Sequence, residues 1–281
     1  MGDDIIGYII NDLTSGNGDL PFSETIVSSA STYNSTVWSD IDGVMRSAVL
    51  PIGGALLSIF MLIELVAIIQ RMEGTSGLTG VNIPANIMIR WGIITFLYAR
   101  SGKILLGIQS VMATIATNIG SATTVNPNVG ANVIAALESM GLVDKVICYI
   151  ILVNVWFVYA ALRLILRAFV IYRVASIYLL TLFAPIPLAT LPSPDFKHTA
   201  FNYLKSYAAA CMSGAVIMGA FKIYNLLASS TLGNESVLFS GGTATIGEFC
   251  GGMLKLMVFY GILVSMVLNS GKISKSILNA T

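Results

Sequence analysis

Residues 163–205 read RLILRAFVIYRVASIYLLTLFAPIPLATLPSPDFKHTAFNYLK. Three arginines, Arg163, Arg167 and Arg173, lead into an apolar run. Pro185 and Pro187 interrupt that run, and Pro192 and Pro194 end it. Proline removes a backbone donor, and its ring strikes the carbonyl four residues back, so a helix cannot continue unchanged through this region. A basic, aromatic segment containing Lys197 and Lys205 then leads into the next apolar run. An interrupted apolar run with positive charge on both flanks fits poorly in a water-soluble core. It is accounted for if the chain dips into a membrane and turns back, shielded from lipid by protein.

Composition points the same way. Of 281 residues, 56% are hydrophobic and only 10% are charged, and the mean hydropathy is +0.82. Soluble domains carry about 25% charged residues. A chain this poor in charge cannot keep its surface in water, so the expected fold is an all-α, polytopic integral membrane protein. The N-terminus, MGDDIIGYII, lacks the positive region and cleavage site of a signal peptide. Ile6 stands where a myristoylation signal needs Ser or Thr. The three cysteines, Cys148, Cys211 and Cys250, read as small buried side chains rather than a disulfide framework or metal site.

Two regions are expected. Residues 1–47 are an acidic preface with seven carboxylates and one arginine, Arg46, read as an extracytoplasmic, amphipathic helical segment. Residues 48–281 are a polytopic transmembrane domain. Its first span, 48–69, has about the 20 apolar residues that cross a hydrocarbon core of about 30 Å. Residues 87–120 are too long for one ordinary span and carry Arg90, Arg100 and Lys103. Either 87–98 crosses, or it lies along the cytoplasmic face and 104–119 crosses; Trp91 and Tyr98 beside cations favour the second arrangement. Further spans are expected at 143–166, 203–227 and 253–268, with 169–191 as the broken run.

Orientation follows from lysine and arginine. The preface and segments 121–144 and 228–252 are almost free of them. If 169–191 were a full span, the basic segments 163–173 and 197–205 would fall on opposite sides. If it is re-entrant, every basic segment is cytoplasmic. The result is about five spans, with the N-terminus outside and the C-terminus inside. Pro185 and Pro187 then mark a break at membrane depth. Arg163, Arg167, Arg173, Lys197 and Lys205 form the cytoplasmic basic flank.

Glu64, the acidic residue of the first span, has two readings: a carboxylate paired with a neighbouring helix or reaching the headgroups, or one facing a pore or cavity. Small residues spaced by four (Cys211, Ala215 and Gly219; Gly261 and Ser265) read as helix-packing faces. His198, the one histidine, lies in a polar loop and reads as solvated. The sequence contains no phosphate loop, dinucleotide fingerprint, zinc motif or nucleophile elbow. Neither enzymatic activity nor a cofactor is therefore expected.

Three stretches carry a family resemblance: VMRSAVLPIGGALLSIFMLIELV (44–66), RVASIYLLTLFAPIPLATL (173–191) and FNYLKSYAAACMSGAVI (201–217). With the expected topology, they resemble the TrbL-type polytopic membrane proteins of conjugative type IV secretion systems, in the version found in Gram-positive conjugative elements. The resemblance implies a non-enzymatic channel or scaffold subunit of the cytoplasmic membrane. It implies a ring-shaped homo-oligomer that connects cytoplasmic ATPases to an extracytoplasmic channel or pilus, among membrane lipids. Pro185 and Pro187 match the family's proline turn, and the preceding arginines match its basic flank. Those arginines read first as topology signals and headgroup partners; transient contact with transferred DNA is their second reading. The alternative class is a small-solute transporter or ion channel, motivated by Glu64 and the broken run.

Overall fold

The computed structural model describes residues 28–72, 79–120, 141–233 and 246–280. Most of the preface, most of the segment 121–144 and residues 234–245 of the segment 228–252 lie outside the described residues. Those described are helical, with turns and no strand.

Two short helices open the described chain. In α1 (Ala30–Tyr33) the Ser29 hydroxyl caps the first turn, accepting from Thr32 N; in α2 (Ser35–Val44) the Asn34 side chain does so, 3.1 Å from Val37 N. A π-helical turn, Met45–Val49, then joins α2 to α3 (Leu50–Met72). Its wider ladder, with Leu50 N–H bonded to Met45 O, comes just ahead of Pro51, which cannot donate.

Helices α4 (Thr79–Ala99) and α5 (Ser101–Gly120) divide the difficult 87–120 run at Arg100. Helix α6 (Leu142–Phe183) runs unbroken for 42 residues. No Gly or Pro occurs in it, and its 42 residues are about twice the 20 or so that cross a bilayer core. The chain then breaks through α7 (Pro185–Leu188) and turns before α8 (Lys197–Gly233). Helix α9 (Ile246–Ile277) ends in a left-handed cap, with Asn279 at φ +46° and Ala280 N–H on Lys275 O at 3.0 Å.

Among the described residues, four segments are long and apolar enough to cross a membrane: Ser35–Gln70, Val143–Phe183, Lys197–Tyr224 and Cys250–Ile277. Ile87–Ala99 is a shorter apolar helix. The protein is thus an all-α, multi-pass membrane protein. Three of the expected spans, 48–69, 143–166 and 253–268, lie within these segments, and the one expected at 203–227 overlaps Lys197–Tyr224. The one expected at 104–119 lies in α5, which is not among them. Large apolar side chains along the four segments stay exposed, including Leu62, Phe157 and Leu164 at 61–69%. Water would disfavour such surface, and lipid does not.

The boundary expected between the third span and the broken run is absent: no turn separates residue 166 from residue 169, and α6 carries one into the other. Arginine is a good helix former, and charge alone does not end a helix. The break falls only where the prolines impose it.

The chain forms two compact units, each with its own core. The first comprises described residues in 114–172 and 214–270. Its core joins Tyr159, Leu166 and Val170 of α6 to Phe221 and Tyr224 of α8 and to Tyr260, Leu263 and Val267 of α9. The second comprises described residues in 28–113, 173–213 and 271–280. Its core gathers Leu57, Tyr98, Leu105, Val174, Ile177, Ala184, Leu188 and Tyr207. Of the expected packing faces, Cys211 and Ala215 are buried. In α9, however, Leu263, Val264 and Val267 are buried instead, and Ser265 is exposed.

Candidate functional site

The proline break and its supports all belong to the second unit. Pro185 cannot donate to Thr181 O, and Pro187 cannot donate to Phe183 O. Ala184 N–H therefore shortens its reach and bonds Thr181 O at 3.3 Å. That leaves Leu180 O without its usual donor, and the Tyr203 hydroxyl of α8 donates to it. The helix after the break thus satisfies a carbonyl released by the helix before it. Beyond α7, the Thr190 hydroxyl bonds Pro187 O at 2.8 Å, and Lys197 N–H bonds Ser193 O at 2.9 Å to open α8. Pro185 is buried and Pro187 half-buried.

Helix α3 approaches the break closely. A Cβ built at Gly53 would strike the Tyr98 hydroxyl and lie 2.9 Å from Pro185 O. Only glycine fits there, whereas its neighbour Gly54 has nothing within 4 Å. The Tyr98 hydroxyl donates to Leu50 O at 2.7 Å, fastening α4 to the start of α3. Lower on α3, Phe60 meets Phe196 with ring centroids 5.6 Å apart.

Glu64 is buried at 8% exposure and lies 3.8 Å from Arg90 Nη1 of α4. Arg90 Nη2 donates to Pro192 O at 3.2 Å. Arg90 therefore joins α3, α4 and the segment after the break. Of the two readings of Glu64, the helix-paired one matches this placement.

A buried polar chain lies under the break. Gln109 Nε2 donates to the Tyr207 hydroxyl at 2.5 Å. Tyr207 lies 3.2 Å from Thr181 Oγ1, which donates to Ile177 O at 2.8 Å. Since the Thr181 proton is used on Ile177 O, the Tyr207 proton points to Thr181. The chain links α5, α8 and the last turn of α6. Tyr178, also in α6, donates to Ala30 O at 2.7 Å.

The five residues expected as a basic flank have different surroundings. Arg173 lies against α8, with Nε donating to Ser213 Oγ at 3.0 Å and Nη2 to Cys211 O at 3.1 Å. Lys197 and Lys205 are exposed in the same unit. In the first unit, Arg163 stands 4.9 Å from the Tyr159 ring centroid, and Arg167 is exposed. His198 is exposed. Close packing was legible at the Gly53-Gly54 pair, but sequence reasoning missed Arg90, Tyr98, Gln109, Tyr203 and Tyr207 as supports of the break. One local signal was available: Tyr203 and Tyr207 are spaced by four, which puts both hydroxyls on one face of α8.

A profile of the family described as TrbL/VirB6 plasmid conjugal transfer like protein matches residues 21–185, more than half of the chain. This chain belongs to that family. No curated protein and no solved structure matches it. The TrbL/VirB6-like match ends at Pro185, the first proline of the break. It covers Gly53, Glu64, Arg90, Tyr98 and Gln109, which face the break or lie beneath it from the N-terminal side. The stretch 201–217, with Tyr203 and Tyr207, lies beyond it. Membership makes the protein a component of a conjugative type IV secretion system, working with other components of that system.

Proposed function

We propose that this TrbL/VirB6-like protein is a non-enzymatic channel or scaffold subunit of the cytoplasmic membrane. It assembles as a ring of like subunits, meets the ATPases on the cytoplasmic side and supports the extracytoplasmic channel or pilus. The family match over 21–185, together with four membrane-capable helices, carries this reading. The geometry of the break supports a scaffold role. Hydroxyl, arginine and aromatic contacts hold the chain on both sides of the prolines, making a rigid corner on which neighbouring subunits can build. Of the two motives for the solute-transporter alternative, Glu64 and the broken run, the Glu64–Arg90 contact weakens the first.

The test is deletion of the gene from its conjugative element, with complementation. Loss of transfer, and co-purification of secretion subunits with the tagged protein, are expected. A strictly monomeric protein that cross-links to no secretion subunit, in cells that still transfer DNA, refutes the proposal.

A further inference from the structure

The start of α8 carries a surface that takes no part in holding the break. Lys197, Phe201 and Lys205 follow at steps of four, which puts them on one face of the helix. All three are exposed, Phe201 at 55%, whereas Ala200 and Tyr207 turn into the core of the second unit. Just before them, Phe196 rests on Phe60 and is still 52% exposed. The end of α9 adds to this surface. The Ser274 hydroxyl donates to Ala209 O, one turn beyond Lys205 on α8, and Lys272 and Lys275 on either side of Ser274 are exposed. Residues 192–213 and 271–280 thus hold four lysines against one carboxylate, Asp195. The helix dipole disfavours a lysine in the first turn of α8, where no acidic residue stands, so Lys197 does not serve the helix itself. Arg173, expected in the same flank, is instead committed to Ser213 and Cys211 O.

We propose that this lysine and phenylalanine surface binds the headgroups of anionic phospholipids. Water disfavours exposed aromatic rings, and hydrocarbon disfavours lysine. The boundary between headgroups and acyl chains takes both, with the rings inserted and the ammonium groups on lipid phosphate. The surface stands at the beginning of Lys197–Tyr224, a segment able to cross the membrane, so the bilayer boundary is within its reach. The same stretch carries the contacts of Phe196 with Phe60 and of Pro192 O with Arg90. The bound headgroups therefore anchor the chain just after the proline break.

The test titrates the full chain, in detergent, with phosphatidylglycerol and with phosphatidylcholine, and counts bound lipid by native mass spectrometry. A lysine near an anionic surface contributes a factor of about five in affinity. Phosphatidylglycerol should bind more tightly than phosphatidylcholine, and Lys197→Gln/Lys205→Gln should weaken it about 25-fold while leaving phosphatidylcholine unchanged. Phe201→Ser should weaken both lipids. These positions are exposed, and unchanged thermal midpoints before lipid is added check that the variants fold. Arg167→Gln, at an exposed cation of the first unit, should bind as the wild type does. Equal affinity for the two lipids overturns the proposal. So does a phosphatidylglycerol preference that survives loss of the lysines, or one that falls equally in Arg167→Gln. Loss of a co-purifying acidic protein from the lysine variant, with lipid binding unchanged, assigns the face to a protein and overturns it too.

Discussion

Replacing Gly53 by alanine tests the break most directly. The new Cβ would collide with the Tyr98 hydroxyl and lie 2.9 Å from Pro185 O and 3.1 Å from Pro185 C. The tyrosine can swing away, at the expense of its bond to Leu50 O, a net contribution of about 1 kcal/mol. The Pro185 carbonyl cannot, because it is backbone and accepts from Ala189 N–H at 3.0 Å. Overpacking of this kind costs about 1–3 kcal/mol. Gly54→Ala is the matched control: its Cβ meets nothing, and the gain in helix propensity is about 1 kcal/mol. Gly53→Ala shares that gain, so the two neighbouring substitutions should differ by the overpacking and the lost Tyr98 bond, roughly 2–4 kcal/mol. Thermal unfolding of the detergent-solubilised protein, followed by thiol-dye reactivity, reads the difference. Combining Gly53→Ala with Tyr98→Phe should recover only part of the loss, since the carbonyl contact remains. Equal midpoints for the two alanine variants, or full recovery by Tyr98→Phe, would refute the packing of α3 on the break.

Other substitutions probe the polar supports. Tyr207→Phe removes the partner of the buried Gln109 Nε2 and should cost about 1–3 kcal/mol in thermal stability, whereas the Gln109→Leu/Tyr207→Phe double variant should come close to wild type. Tyr203→Phe should cost a similar amount through Leu180 O; an unchanged midpoint would show that this carbonyl finds another donor. The Glu64–Arg90 pair is long and Arg90 is 47% exposed, so Glu64→Gln should cost less than about 1 kcal/mol and leave conjugation intact. A large loss of transfer with normal stability would revive a pore-facing role. Replacing Pro185 and Pro187 together with alanine should let α6 run on. Membrane insertion should persist, transfer should fall, and spin labels flanking the break should move apart; unchanged spacing would mean that the contacts, not the prolines, hold the corner.

The sequence alone determined the solvent. Low charge and long apolar runs require a membrane, and a membrane permits helices because they satisfy their own backbone groups. It also located the break, since proline's missing donor is a local property. The length of α6 was local too: with no Gly or Pro from 142 to 183, nothing ends it, but the arginines drew attention to charge and away from that absence. What only the tertiary structure decided was what each polar group faces. Whether Glu64 met a cavity or Arg90, whether Gly53 or Gly54 was the obligatory glycine, and which tyrosine would take up Leu180 O all depend on residues tens to more than a hundred positions away. Such partners leave no periodic trace in one sequence. The broken run of residues 163–205 is thus a local fact about proline, stabilised by contacts that exist only once the helices are packed.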